Sequence, residues 1–378
     1  MHPAWPSDLL PAPFAGGARP EQLDAYSDLI GTSLEQARDS GLRDLVLLLD
    51  GVGSELLEDH RALTPTFRAL AGDLRHLRTV APSTTATAMV SLHTGREPLA
   101  TGIMGYRTLD PASGASVHQL AGAEGINPQE WMPLPGLAER TDRPCVQVAP
   151  KRHAGSFLSG VAYRSWRFHP HGREDRVEQA LQALRRIGPG GLVHLHVDDV
   201  DHVGHTSAVD SDQWRAALAE VDSLVGTVLR RAPRGTRITV TADHGMVDTD
   251  EQHVVDLSAD SVLDGMIAAV AGEPRSVVVV AAEGTDPADL ALRAQEFLGE
   301  RGFALTREQA FASGLWGPTG QVPDARVAGR LGDVVLLMRG HWTAEVSRLR
   351  PPGDRHLLGV HGSLTAAESI VPLLRIEV

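Results

Sequence analysis

Continuous apolar runs alternate along this chain with stretches whose apolar residues recur at helical spacing. The clearest run is Asp44-Leu-Val-Leu-Leu-Leu-Asp50, and similar ones occupy 192–197, 237–242, 276–281 and 333–338. A strand with no polar face has nothing to offer water, so such runs predict burial on both sides, as in a parallel sheet. Helical periodicity is plain over 174–187, 211–231 and 286–301. The alternation predicts an α/β fold, with a central, largely parallel sheet flanked by helices. No internal repeat interrupts it.

With 378 residues, 42% of them hydrophobic, the chain can bury a large core. Residues 1–40 are rich in Pro and Gly and then polar; they read as an N-terminal arm leading into a short helix. Residues 41–378 read as the main domain. Within it, 106–190 is turn-rich, with Trp131, Tyr163 and Trp166, and 251–340 is a compact set of strands and helices. Both are candidate cap insertions that wall a substrate pocket.

Composition narrows the function. The formal net charge of -13 disfavours nucleic-acid binding, which needs clustered Lys and Arg to displace counterions from phosphates. Cys145 is the only cysteine, so no internal disulfide can form, which fits a reducing compartment. No run approaches the roughly 20 apolar residues that cross a bilayer. The first residues, MHPAWPSDLLPAPFAGG, lack the basic and apolar regions of a signal peptide. The expectation is a cytoplasmic protein with no membrane partner.

Five segments, each following or adjoining an expected strand or a loop-to-helix junction, carry hard-metal or zinc donors. In an open α/β sheet such segments meet outside the carboxyl ends of the strands. Asp50 ends the run LVLLL and precedes Gly51-Val-Gly53; taken alone, it is an ordinary turn former. Pro82-Ser-Thr-Thr85 reads as a loop entering a helix near Thr85 that ends near Gly95. A hydroxyl there lies at the positive end of a helix dipole, among free N–H groups, although simple N-capping gives the same pattern. Asp201-His-Val-Gly-His205 places two donors four residues apart, with Asp198, Asp199 and His202 as competitors. Asp243-His244-Gly245 follows the run RITVTA and pairs an oxygen with a nitrogen donor, both ordinary for zinc. His361-Gly362 near the C-terminus matters only as the completion of a set.

As an ordered series, Asp50, Thr85, Asp201/His205, Asp243/His244 and His361 resembles the alkaline phosphatase superfamily, specifically its nucleotide pyrophosphatase/phosphodiesterase branch. The resemblance covers roughly 42–105, 192–250 and 355–375. It implies an alkaline-phosphatase-like fold and a hydrolase of phosphate esters with two divalent cations, zinc in type. By the same resemblance, Asp50, Asp243 and His244 hold the ion that also binds and ionises the nucleophile Thr85, and Asp201, His205 and His361 hold the second. Thr85 is preferred to Thr84 by counting back from Thr94-Gly95.

Two departures stand out. The family's Asn just after the nucleophile is missing from Ala86-Thr87-Ala88, which leaves a backbone N–H at Ala86 to meet a phosphate oxygen. Thr101 replaces a usual His.

The implied reaction is attack by Thr85 on a small phosphorylated substrate, a nucleotide or other phosphodiester, through a phosphothreonine intermediate. The alternatives are a phosphonate (C–P) hydrolase, a phosphomonoesterase, and, from another class, a non-catalytic metal-binding protein. A sulfatase fits poorly, since it needs a modifiable Cys or Ser in a Cys/Ser-x-Pro-x-Arg segment and the only cysteine, Cys145, lies in CVQVA. A serine-dependent mutase fits poorly with a threonine. His194, His196, His202 and His253 are only neighbours to consider.

Overall fold

A computed structural model describes residues 26–318, 320–349 and 356–378. The run after Asp44 forms the strand Arg43–Leu49, whose residues Leu45 to Leu49 are fully buried. It pairs in parallel with Leu192–Val197 on one side and Thr236–Thr241 on the other. Two parallel neighbours close both edges, and helices close both faces, which explains why the run tolerates no polar position.

The central sheet has seven strands in the order Arg75–Arg78, Ile370–Glu377, Thr236–Thr241, Arg43–Leu49, Leu192–Val197, Cys145–Pro150, Arg167–His171. The last five in that order run parallel, while Ile370–Glu377 is antiparallel to its neighbours. The expected helices appear as Arg176–Ile187, Asp212–Arg231 and Pro287–Leu298.

A second, six-stranded antiparallel sheet runs Gly302–Thr306, Val334–Met338, Ser276–Ala281, Ile267–Glu273, Arg107–Leu109, Ser116–His118. It carries its own core, which includes Val279, Leu298 and Leu336. The segment 251–340 thus builds most of this sheet. The segment 106–190 is divided: its first two strands join the second sheet, and Cys145–Pro150 and Arg167–His171 extend the central one.

Residues 1–25 of the expected N-terminal arm lie outside the described residues. The remainder forms a turn, Tyr26–Asp28, and the helix Leu29–Ser40. Tyr26, Leu29, Ile30 and Leu34 are buried in the main core, so this part packs as core and not as an arm.

Parallel pairing determines where the site lies. Leu48 is level with Thr241, and Leu49 with Val197, so the chain leaves all three strands at one edge. The antiparallel strand brings its beginning to that same edge, with Leu373 opposite Thr241. His361 is delivered there from the other chain direction.

Candidate active site

All seven expected residues meet at this edge. The amide of Gly51 and that of His244 both donate to Asp243 Oδ1, at 3.3 and 3.1 Å. His196 Nε2 lies 2.8 Å from Asp50 Oδ2. These bonds occupy one oxygen of each carboxylate and leave Asp50 Oδ1 and Asp243 Oδ2 buried without hydrogen-bond partners. Donor atoms of Asp50, Asp243 and His244 lie within 4.8 Å of one another, as do those of Asp201, His244 and His361. His205 stands beside the second group, its Nε2 3.3 Å from Asp201 Oδ1.

Asp201 and His205 occupy a single helix, Asp199–Ser207. Four residues apart on a helix, they share one face. Close packing also shapes Asp243-His244-Gly245: a Cβ on Gly245 would lie 1.9 Å from the Ala367 carbonyl oxygen, so only glycine fits there.

The imidazoles are held in register by backbone carbonyls. Nδ1 of His244 faces Gly245 O at 2.9 Å, that of His361 faces Ser83 O at 3.0 Å, and that of His205 faces Gly359 O at 2.7 Å. A carbonyl can only accept, so Nδ1 carries the proton in each ring. In neutral His244 and His361, Nε2 is then a lone pair aimed inward, the orientation typical of a metal-binding histidine.

The charge balance points the same way. Among the described residues, no Lys or Arg pairs with Asp50, Asp201 or Asp243; their partners are histidines. Burial, and then the charges of Asp243, Asp201 and Asp198, push the Asp50 carboxyl well above the usual range. Burial, and then His244, hold His361 well below the usual imidazole range. Burial opposes charge on Asp201 and His205 as well, but their mutual attraction outweighs it, lowering the carboxyl and raising the imidazole. The His361 lone pair therefore faces Asp201 Oδ1 at 3.6 Å, acceptor against acceptor. Such an arrangement is repulsive until positive charge lies between, so the residues present fit divalent cations.

Thr85 begins the helix Thr85–Thr94, and Gly95 ends it in the left-handed conformation (φ 63°). Its hydroxyl lies 3.2 Å from His244 Nε2. The preceding residue, Thr84, is the N-cap, yet its side chain makes no capping bond. The first helical bond runs from the Ala88 amide to the Thr84 carbonyl, so the amides of Thr85, Ala86 and Thr87 stay outside the helical ladder.

The far end of this helix is anchored by chemistry absent from the sequence-based set. His93 is fully buried against Tyr163, Trp166 and His194, with ring centroids 4.2, 5.0 and 4.8 Å away. Burial, and then His196, push its pKa down to about 3. The folded protein refuses a proton that the unfolded chain accepts near pH 6.5, so stability falls as pH drops below that value. The loss approaches about 1.4 kcal/mol per pH unit for this group and continues to about pH 3. His93→Phe is expected to flatten the dependence, measured by urea unfolding of metal-loaded protein between pH 7 and 4. An unchanged slope would refute this account.

A cleft of about 350 Å³ opens beside Thr85, lined by apolar Met89, Leu120, Leu158 and Tyr163 and by polar Gln147, Arg152 and His153. Sequence reasoning treated His196 as a neighbour only, although it orients Asp50. The signal was present in the run VHLHV, where residues two apart in a strand share a face.

Fold and site together define a phosphate-ester hydrolase with an alkaline-phosphatase-like architecture. The chain belongs to the type I phosphodiesterase/nucleotide pyrophosphatase family, whose profile matches residues 45–364. That family is metal-dependent, and its members hydrolyse phosphate esters.

Among solved structures, it is similar to murine ectonucleotide pyrophosphatase/phosphodiesterase 5 in complex with AMP (18% identity, 88% of this chain and 87% of that one, TM-score 0.64). It is also similar to phosphonoacetate hydrolase from Sinorhizobium meliloti 1021 in complex with phosphonoformate (19% identity, 89% and 90%, TM-score 0.67). The human ectonucleotide pyrophosphatase/phosphodiesterase 5 gives 17% identity over 88% and 87%, with a TM-score of 0.63. Likeness at this level of identity shows a shared fold. Among the described residues, no helix is long and apolar enough to cross a membrane.

Proposed function

We propose that the protein is a two-metal phosphodiesterase of the nucleotide pyrophosphatase type, working through a phosphothreonine intermediate on Thr85. The observation that carries this reading is the cluster of buried carboxylates, with Asp50 Oδ1 and Asp243 Oδ2 lacking hydrogen-bond partners and Asp201 facing His205 and His361, around histidine lone pairs and one hydroxyl. Asp50, Asp243 and His244, with Thr85, would hold one cation, and Asp201, His205 and His361 the other. Bound zinc ions supply Lewis acidity, favouring the ionised hydroxyl and a negatively charged leaving oxygen.

The chain's own groups do the rest. His196 and the Gly51 amide hold Asp50 and Asp243 in place. The start of the helix presents free amides to a phosphoryl oxygen, taking over from the missing asparagine. Thr85 Oγ forms a bond to phosphorus as the bond to the leaving oxygen breaks, and water then hydrolyses the phosphothreonine. The leaving group occupies the cleft, to whose lining the segment 106–190 contributes Leu120, Gln147, Arg152, Leu158 and Tyr163.

A panel of bis-p-nitrophenyl phosphate, p-nitrophenyl phosphate and phosphonoacetate, run with metal content measured on the same preparation, tests the reading. The diester is expected to give the highest kcat/KM. Faster release of phosphate from phosphonoacetate would make the enzyme a C–P hydrolase, the activity named for the Sinorhizobium neighbour. Full metal content without turnover of any ester would indicate a non-catalytic binder.

A further inference from the structure

The strand Cys145–Pro150 is buried throughout, yet it carries Gln147, which is only 3% exposed. A polar side chain inside such a strand needs a partner or a reason. Gln147 is level with His194 on the neighbouring parallel strand. It therefore shares a sheet face with His194 and His196, the face from which His196 reaches Asp50. There it lines the cleft beside Thr85. No hydrogen bond ties its side-chain amide to another described residue.

Neighbouring polar groups of the lining are already engaged. Ser159 donates its hydroxyl to the His153 carbonyl at 2.8 Å and lies 3.1 Å from the Ser156 hydroxyl. Arg152, the one Lys or Arg in the lining among the described residues, pairs with Asp198. The apolar lining includes aliphatic Met89, Leu120 and Leu158, while Tyr163 is buried with its ring packed on His93 and Trp166. The cleft thus suits an aliphatic body better than a flat ring stacked on an open aromatic face.

The Gln147 amide offers an acceptor oxygen and N–H donors but no charge. A charged group brought against it would lose water without gaining a counter-charge. A hydroxyl, which both donates and accepts, can satisfy either end of the amide. We propose that Gln147 is a specificity-determining residue whose amide takes a hydroxyl on an aliphatic leaving group, so that the preferred substrate is a phosphodiester of a short diol or polyol. This inference rests on the reading of Thr85 as nucleophile and of the cleft as the leaving-group site.

The test titrates the metal-loaded full chain calorimetrically with alkylphosphonates of two to five carbons that end in a hydroxyl. Each is matched by a ligand in which a methyl group replaces that hydroxyl, and the unactivated C–P bond keeps both intact. At the chain length that reaches the amide, wild type is expected to bind the hydroxyl-ended ligand at least about fivefold more tightly. In Gln147→Leu the preference should vanish or reverse, because no buried polar group is then left unpaired by the methyl-ended ligand. The melting temperature of this variant should hold or rise, since no internal hydrogen bond is lost; Gln147→Met takes its place if it does not fold. No preference at any length in wild type, or a preference that survives in Gln147→Leu, overturns the inference. If bis-p-nitrophenyl phosphate is still turned over in that case, the phosphodiesterase reading stands and only the role of Gln147 falls. Undiminished turnover in Thr85→Ala would instead remove the nucleophile.

Discussion

Thr85→Ala is expected to reduce turnover of bis-p-nitrophenyl phosphate by at least about a thousandfold, on the scale seen when a covalent enzyme loses its nucleophile. The substitution removes one hydroxyl and one methyl group from the start of a helix. The other six proposed ligands keep their backbone anchors, because none of the three histidines or three aspartates depends on Thr85 for its orienting bond. Metal content and melting temperature should therefore change little while kcat collapses. Rapid quenching of wild type with radiolabelled diester should trap phosphate on Thr85 and on no other residue. Retained activity in Thr85→Ala would remove the phosphothreonine step. Loss of activity together with loss of metal would leave the nucleophile undecided, and Thr85→Ser would then separate chemistry from coordination.

Exhaustive chelation should have the second-largest effect. Purified protein is expected to carry close to two zinc equivalents; stripping them should abolish turnover, and adding zinc should restore it. The physical reason is the crowding of Asp50, Asp201 and Asp243 in a buried site where, among the described residues, no Lys or Arg pairs with them. Stripped of ions, the folded state holds repelling carboxylates that the unfolded chain can separate. Ion binding is thus linked to folding, and each ion at a hundred times its Kd contributes about 2.7 kcal/mol. The melting temperature should fall by several degrees on chelation and recover with zinc. Full activity after chelation, or less than one bound equivalent, would refute the two-metal reading.

Much of the site was legible in sequence because its donors sit next to strong local signals. Asp50 and Asp243 directly follow apolar runs, and a strand end is where an α/β sheet gathers ligands. Thr85 and Gly95 bracket a helix that forms between those residues, with a glycine supplying the left-handed end. His196 was harder to assign: strand alternation gave its face, but only the pairing of Leu49 with Val197 brings it beside Asp50.

The sequence by itself determined the α/β alternation and the buried parallel strands, and it offered the candidate metal-type donors, because each depends on a local pattern of polarity or on neighbouring residues. Tertiary structure decided three further things. It packed Tyr26, Leu29, Ile30 and Leu34 into the core, among side chains distant in sequence. It divided 106–190 between two sheets, since strand pairing is chosen by partners that a single segment does not reveal. It also brought His196 to Asp50, 146 positions earlier in the chain. In each case the deciding energy is a contact between remote segments, which no local pattern encodes.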